Sequence, residues 1–266
     1  MEPLVKYEAL GNDFFLCEGD VPPDKEEIKN LCSHKGTGAD GLLYLQQHRD
    51  HFVVNIFNAD GTDGGLSGNG LRCAALHISL TRPTEEQPYL FSTSAGDVSA
   101  WVKENIVELL FWSLQPTKPE DQPVQVEWSE LNDAVAGQLK KVWFLDIGNP
   151  HLILYLGDKD GDWSGLREQL LEELRKEGKV LPNGINVSVL QRRSSDYFKL
   201  VVWERGVGRT QACASAALAS FLVTRYLKLS ESTATVEQVG GKLALSHEEK
   251  GILLRGRACK CQIEVL

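Results

Sequence analysis

The chain has 266 residues, long enough for one large domain or two of ordinary size, and its 42% hydrophobic content is sufficient for packed cores. A formal net charge of −9 argues against nucleic acid and anionic membrane as partners. No run approaches the roughly 20 apolar residues that cross a bilayer, and no charged and apolar leader precedes the first strand, so a cytoplasmic location is the expectation.

Lys6 to Leu16 reads as a strand with Gly11-Asn12 at its centre. Pro22-Pro23-Asp24 leads into a short helix, because Asp24 is a good N-cap residue and Glu26 and Glu27 fall in the first turn. Gly36 to Gly41 is a loop. Leu43 to Gln46, a turn and the strand Phe52 to Phe57 come next. A Gly-rich loop then reaches Ser67, and the run from Gly68 to Leu80 makes a first central helix that ends before Pro83. A hairpin turning at Ala95-Gly96 and a return strand, Val107 to Leu110, follow. Pro116, Pro119 and Pro123 mark Gln115 to Gln125 as a connection between domains.

Val142 to Leu154 reads as a strand around Gly148-Asn149. Asp162 to Glu177 is an amphipathic helix with Leu166, Leu170, Leu171 and Leu174 on one face, stopped by Gly178. Val187 to Gln191, a turn and Tyr197 to Trp203 precede a second Gly-rich loop. Ala212 to Leu227 is the second central helix, apolar on most sides and so expected to be buried all round. A hairpin at Gly240-Gly241 and the return strand Ile252 to Leu254 belong to a strand-rich stretch that runs to Leu266.

The order repeats. Phe57 maps onto Trp203, and Ser67 onto Cys213, at an offset of 146 residues (213 − 67). Each half is an apolar strand, a Gly-rich loop and a small-residue helix start, which implies one substrate held between two helix N-termini. Two domains are expected: residues 1–114, completed by the C-terminal strand 255–266, and residues 115–254.

Six cysteines (Cys17, Cys32, Cys73, Cys213, Cys259 and Cys261) are too scattered for a disulfide framework. Cys259 and Cys261 share a strand face, but no second Cys or His pair stands at zinc-site spacing, and the histidines form no ligand motif. No metal is expected.

Cys213 reads either as a small buried residue that starts a helix or as a reactive thiol. In the first turn of a helix, the free N–H groups and the positive dipole end favour its thiolate below the ordinary pKa of about 8.5. Glu204 and Arg205 lie on the approach to it. Ser67-Gly68-Asn69-Gly70 supplies glycines for close backbone approach and unpaired N–H groups for a carboxylate or phosphate. Asn12, Asn149, Asn186 and Asn58 add amides on parallel loops, a polar cage for a ligand.

These residues carry a family likeness. Gly11-Asn12-Asp13-Phe14, Asn58-Ala59-Asp60-Gly61, Gly68-Asn69-Gly70-Leu71-Arg72-Cys73, Gly148-Asn149-Pro150-His151 and Glu204-Arg205-Gly206 to Ala212-Cys213 resemble the diaminopimelate epimerases, in order and over nearly the whole chain. The resemblance implies an α/β (α+β) fold of two pseudo-symmetric domains, each a mostly antiparallel sheet or barrel round a central helix. It implies interconversion of L,L- and meso-diaminopimelate in lysine and peptidoglycan precursor supply, with neither pyridoxal phosphate nor metal, by two cysteines on opposite faces of the α-carbon. A homodimer and a small amino acid as the bound partner are carried with it. By the same resemblance Cys213 is the second catalytic cysteine, and Asn58, Glu204 and Arg205 surround the α-amino group. The amides of Gly68, Asn69, Ala214 and Ser215 cradle the α-carboxylate, while Asn12, Asn149, Asn186 and Arg205 reach the distal amino acid end. His151 is a neighbouring site residue.

The sequence departs from that pattern at Ser67, where the family has its first catalytic cysteine. A neutral serine is a feeble base and a poor donor unless activated. Three readings stay open: an engineered Cys→Ser change, a natural variant with low or broadened activity such as racemisation of another amino acid, for example glutamate, and a relative that uses one thiol only. Ala214-Ser215-Ala216 also replaces the family's common Gly-Ser/Thr-Gly, adding methyl groups near the carboxylate. Rival classes are a non-catalytic amino-acid-binding protein and an isomerase with a carboxylate base.

Overall fold

The computed structural model describes residues 4–19, 21–33, 38–84, 86–93, 96–112, 114, 141–157, 185–205 and 207–261. In chain order its elements begin with β1 (Val5–Ala9), β2 (Asn12–Glu18), α1 (Lys25–Ser33), β3 (Gly41–Gln47), β4 (Phe52–Asn58), α2 (Gly68–Thr81), β5 (Tyr89–Thr93), β6 (Gly96–Lys103) and β7 (Ile106–Trp112). They continue with β8 (Lys141–Asp146), β9 (Pro150–Tyr155), β10 (Asn186–Arg192), β11 (Tyr197–Glu204), β12 (Gly208–Arg209), α3 (Ala214–Tyr226), β13 (Thr233–Gln238), β14 (Gly241–Glu248), β15 (Gly251–Arg257) and β16 (Cys259–Lys260). The expected connection at Gln115 to Gln125, with its three prolines, and the expected helix at Asp162 to Glu177 lie outside the described residues, as do Gly36, Ala95, Gly206 and residues 262–266.

Backbone contacts divide the chain into two compact units, Met1–Leu114 with Ser246–Leu266, and Gln115–Leu245. The return segment before residue 255 therefore falls with the first unit, earlier than the expected division at 254/255. Pairing explains it: β15 runs antiparallel to β7 over its whole length, from Gly251↔Trp112 to Arg257↔Ile106.

The first unit orders its strands β16-β1-β2-β3-β4-β5-β6-β7-β15, and α2 packs against β1, β2, β6, β7 and β16. Every residue of α2 from Gly68 to Ile78 is buried, so this helix forms the core against which the sheet packs. The second unit orders β14-β13-β11-β10-β9-β8, with β12 on β11, and α3 packs against β8, β9, β10 and β13. Residues Ala214 to Thr224 of α3 are all buried, as its all-round apolar character predicts. The sheet-rich α+β class is the one the sequence implies.

The repeat is visible as topology. Hairpin β1–β2 is antiparallel, β2–β3 parallel, β3–β4 antiparallel and β4–β5 parallel. In the second unit β8–β9, β9–β10, β10–β11 and β11–β13 show the same alternation. After the fourth strand of each set the loop folds back on it: Phe57 bridges Asp63, and Trp203 pairs with Arg209.

Two sequence expectations need correction. The single strand from Lys6 to Leu16 is a hairpin, β1–β2, because Leu10 (φ 58°) and Gly11 (φ 80°) make a tight turn with two positive φ values. Val142 to Leu154 is likewise the hairpin β8–β9, turning through Gly148 (φ 104°), whose N–H is held by Asp146 Oδ1 at 2.9 Å. The start of α1 follows the sequence closely. Asp24 Oδ1 accepts from the N–H groups of Glu26 and Glu27, and Glu27 Oε2 accepts from the Asp24 N–H, a reciprocal capping box.

A buried polar chain ties the first unit together. Tyr7 Oη lies 2.9 Å from His77 Nδ1, His77 Nε2 lies 2.8 Å from Glu18 Oε1, and Glu18 pairs with Arg82. This links β1 and β2 to the C-terminal turn of α2. Burial lowers the His77 pKa, and the Arg82 and His77 bonds hold Glu18 below the usual carboxylate range against the opposing pull of its own burial.

Candidate active site

Ser67 and Cys213 occupy matching positions. Each is the N-cap residue of its unit's buried helix, Ser67 at φ −125°, ψ 107° and Cys213 at φ −129°, ψ 114°. Behind Ser67, Gly68 and Asn69 are the first two helical residues; behind Cys213, Ala214 and Ser215 are. Their backbone N–H groups stand where a helix offers no acceptor of its own, so each unit presents a small anion-binding end.

In the first unit, Ser67 Oγ accepts from the Gly70 N–H at 3.1 Å, an ordinary N-cap bond. Among the described residues no imidazole or carboxylate accepts its proton. Gly70 packs closely here: a Cβ would stand 2.8 Å from Leu43 Cδ2, so the leucine tip would have to move, and 3.4 Å from Ile56 Cδ1. Asn69 Nδ2 donates to Asn12 Oδ1 at 3.4 Å, and Asn12 Nδ2 donates to Asp40 Oδ2 at 2.9 Å. Asp40 is locked in turn: its N–H donates to Asp13 Oδ1, the Asp13 N–H donates to Asp40 Oδ2, and Lys6 neutralises Asp13 at 2.6 Å.

Underneath lies Arg72, 0% exposed and the largest fully buried side chain. Nη2 donates to Asn69 Oδ1 (2.9 Å), Nη1 to the Gly68 carbonyl (3.2 Å) and Nε to the Arg257 carbonyl (3.3 Å). No carboxylate pairs with it among the described residues, and burial pushes its pKa down to about 10. At neutral pH it remains a cation one turn below the Gly68 and Asn69 amides, adding to the positive end of α2. Asn58 stands apart from this network. Its amide donates to Thr62 Oγ1 at 3.0 Å and the Asp63 carbonyl at 3.5 Å, within its own turn.

In the second unit four residues form a chain. His151 Nε2 lies 3.0 Å from Asn149 Oδ1, Asn149 Nδ2 donates to Ser215 Oγ at 3.2 Å, and Ser215 Oγ lies 3.2 Å from Cys213 Sγ. With its oxygen toward His151, Asn149 accepts from a proton on Nε2 and donates to Ser215; between Ser215 Oγ and Cys213 Sγ either atom can donate. His151 is 0% exposed, its Nδ1 has no partner among the described residues, and burial lowers its pKa to about 3. It is a neutral imidazole. Asn186 pairs in register with His151 across β9 and β10, and its Oδ1 accepts the Arg205 N–H at 2.9 Å. The Arg205 side chain is exposed.

Cys213 corrects the expectation of a depressed pKa. The thiol is 4% exposed, and its pKa is raised well above the ordinary value, first by burial and then by the Glu204 carboxylate. Glu204 also accepts a hydrogen bond from the thiol, which favours the protonated form; Ser215 and the Ala216 N–H pull the other way. The Ala216 N–H stands to Cys213 as the Gly70 N–H stands to Ser67, but a thiol sulfur is a weaker acceptor than a hydroxyl oxygen and no side-chain cap bond forms. The dipole argument failed because desolvation of a buried thiolate and a carboxylate at its side outweigh a partial charge. The resting state is thus a neutral thiol facing an acceptor.

Gln238, Arg72 and Asp40 were not anticipated. Gln238 Oε1 accepts the Cys213 N–H at 2.8 Å and its Nε2 donates to the Cys213 carbonyl at 3.3 Å. The available signal was strand periodicity: in β13, Ala234, Val236 and Gln238 alternate onto the buried face, so a polar residue sits in an apolar register.

All six cysteines are free thiols. Among the described residues no group of three or more His, Cys, Asp or Glu side chains is placed to hold a metal ion, and no helix is long and apolar enough to cross a membrane.

Two α/β units with the same strand alternation, each ending in a polar N-cap ahead of a buried helix, define an isomerase of the epimerase and racemase class. Solved structures share the fold. A hydroxyproline epimerase from Agrobacterium vitis matches with a TM-score of 0.67 at 12% identity, over 97% of this chain and 90% of the other. A phenazine biosynthesis protein of the PhzF family from Enterococcus faecalis matches with a TM-score of 0.64 at 16% identity, over 98% of each chain. The sequence is more specific: the profile of diaminopimelate epimerase matches residues 4–109 and 143–260, and the chain belongs to the diaminopimelate epimerase family. It is 32% identical to the diaminopimelate epimerase of Synechococcus sp. (strain JA-3-3Ab), over 90% of this chain and 88% of that one. It is 28% identical to that of Methanocaldococcus jannaschii, over 96% and 95%.

Proposed function

We propose that the protein inverts the α-carbon of diaminopimelate between the L,L and meso forms, without a cofactor, and that Cys213 is its one strong acid–base group. The observation that carries this reading is the position of the Cys213 thiol, held between the Glu204 carboxylate and the Ser215 donor. Glu204 takes the thiol proton, the thiolate takes the α-proton, and the negative charge developing on the substrate carboxylate is met by the Gly68, Asn69, Ala214 and Ser215 amides. Inversion requires a proton from the other face. Ser67 Oγ–H is the proposed donor, or the relay for a water proton, and its pKa makes this step slow. Asn12, Asn149, Asn186 and Arg205 are proposed to hold the distal amino acid end, Asn58 the α-amino group, and His151 to support Asn149. The proposed setting is the cytoplasm, in lysine and peptidoglycan precursor supply, with the enzyme as a homodimer.

A racemase acting on another amino acid is the second reading. Ser67 favours it, because a hydroxyl bonded to the Gly70 N–H stands where the family resemblance puts the first thiol.

The test is α-proton exchange in deuterated water, with L,L- and meso-diaminopimelate given separately and Ser67→Cys run alongside. The expected result is exchange of the isomer whose α-hydrogen faces Cys213, slow inversion, and inversion at least about 100-fold faster in Ser67→Cys. Absence of exchange with both isomers in both proteins rejects diaminopimelate and moves the assay to other amino acids.

A further inference from the structure

We propose that Gln238 is a positioning residue for the Cys213 thiol, acting through a two-bond clamp on the Cys213 backbone. The inference rests on Cys213 being the reacting thiol.

Gln238 is the last residue of β13 and is 6% exposed. Its amide meets both backbone groups of Cys213, accepting from the N–H at 2.8 Å and donating to the carbonyl at 3.3 Å. The Cys213 backbone is extended, so one side chain supplies what a neighbouring strand would give to a residue that lies in no strand. A second tie runs beside it, from the Gly240 N–H to the Gln211 carbonyl at 2.8 Å. The Cys213 carbonyl also accepts the first helical bond of α3, from Ala217 at 3.1 Å. The clamp therefore sets the dihedrals of the residue that carries the sulfur and the direction in which α3 starts.

The comparison with Ser67 shows why a clamp is needed. Ser67 fixes its own turn by accepting the Gly70 N–H. At Cys213 the matching N–H, that of Ala216, meets a sulfur, a weaker acceptor than a hydroxyl oxygen, and no side-chain cap bond forms, so the side chain holds its backbone less firmly. A residue that only filled space at position 238 would be apolar, like Ala234 and Val236 on the same face. An amide there is desolvated and is tolerated because both of its ends are bonded. With the backbone fixed, the sulfur stays in reach of Glu204 on one side and Ser215 on the other.

The experiment compares the protein with Gln238→Met, which keeps the length and removes both bonds. Iodoacetamide labelling is followed cysteine by cysteine by peptide mass spectrometry, with Cys73, 0% exposed and on α2, as the internal control. The expected result is Cys213 labelling at least about tenfold faster with Cys73 unchanged, and a kcat for α-proton exchange about 10- to 100-fold lower with KM within about threefold. Unchanged Cys213 labelling overturns the proposal, and so does a parallel rise at Cys73, which would mean a general loosening of the fold. If Gln238→Met does not fold, hydrogen exchange of the Cys213 amide in the unaltered protein decides: protection supports the clamp, and exchange at the rate of a free peptide overturns it. Should no α-proton exchange be seen with any substrate, the assignment of the reaction fails while the labelling ratio still reads the clamp.

Discussion

The Ser215 hydroxyl lies 3.2 Å from the Cys213 sulfur and ends a hydrogen-bonded chain that begins at His151. When the Ser215 hydroxyl donates, it favours negative charge on the sulfur and pulls the thiol pKa down. Burial and Glu204 oppose it and win in the resting state. The thiolate is reachable because the final donor is in place. Ser215→Ala removes that donor while leaving the helix start and its amides intact. The pH midpoint of Cys213 alkylation should move up by about one unit, corresponding to about 1.4 kcal/mol. Ser215→Thr, which keeps the hydroxyl, should restore most of the shift. A midpoint that stays put in Ser215→Ala would mean that the hydroxyl faces away from the sulfur in solution.

Removing the thiol separates two kinds of base. In Cys213→Ala, α-proton exchange should fall by about 10²- to 10⁴-fold, the usual worth of a positioned acid–base group. Retained exchange would transfer the role to Glu204 and place the protein among isomerases that use a carboxylate base. Because Ala is smaller than Cys, the accompanying stability loss should stay near 1 kcal/mol, and a urea titration would show whether the variant is intact.

What the sequence revealed and what it hid divide along physical lines. Ser67 and Cys213 were legible as equivalent because each follows an apolar strand and a Gly-rich loop and precedes a run of small residues, all local features. The buried course of α3 was legible because its apolar residues leave no polar face. The β1–β2 turn was hidden because Leu10 adopts a positive φ that its residue type does not advertise. Arg72 reads as an ordinary helix-surface cation, and only the sheet packed on α2 turns it into a buried one. The direction of the Cys213 pKa was hidden because it depends on burial and on a carboxylate arriving from another strand. Gln238 bonds Cys213 across a gap of 25 residues, with no motif joining them.

Arg72 carries a prediction for the first unit. Replacing it by Met removes a donor from the Gly68 carbonyl, the Arg257 carbonyl and Asn69 Oδ1, of which Asn69 Oδ1 lies in a buried bond. Unsatisfied buried groups of this kind cost about 1–3 kcal/mol each, and partial relaxation makes about 3 kcal/mol the expected total. Arg72→Lys keeps the charge but has no fork for three acceptors, so it should recover less than half. Asn69 would lose its anchor, and the KM for a carboxylate substrate should rise in both variants. Equal urea midpoints for Arg72→Met and the unaltered protein would show that these bonds carry no net stability.

Glycine at position 41 is needed for a different reason. It pairs with Asn58 across β3 and β4, and a Cβ there would stand 2.3 Å from the Phe57 carbonyl oxygen. That neighbour is backbone and cannot swing aside, so Gly41→Ala must push the strands apart. A loss of about 2–4 kcal/mol is expected, with Asn58 displaced from its bonds to Thr62 and Asp63. Gly96→Ala is the control: unlike Gly41 it has a positive φ, 108°, while a Cβ there meets nothing within 4 Å, so it bears conformational strain alone and should lose about 1–2 kcal/mol. If Gly41→Ala costs no more than Gly96→Ala, the close approach of β3 and β4 is looser in solution than described.

His151 should govern part of the acid limb of stability. Burial lowers its folded pKa to about 3, whereas the unfolded chain titrates near 6.5. Below pH 6.5 the unfolded state therefore binds a proton that the folded state refuses. The stability associated with the neutral imidazole is complete above about pH 6.5 and declines as pH falls toward 3, by about 1.4 kcal/mol per unit. His151→Gln keeps a donor for Asn149 and has no titration in this range. It should lose about 1–2 kcal/mol at pH 7.5, where the packed ring is missing, yet show a slope between pH 6 and 4.5 shallower by about 1.4 kcal/mol per unit. His77 is lowered by burial as well, and Glu18 has its pKa depressed by Arg82 and His77, so both add to the same limb and remain in the variant. The difference between the two urea-midpoint curves isolates His151. Parallel curves would mean that the imidazole finds a proton acceptor or water on folding and is not held neutral.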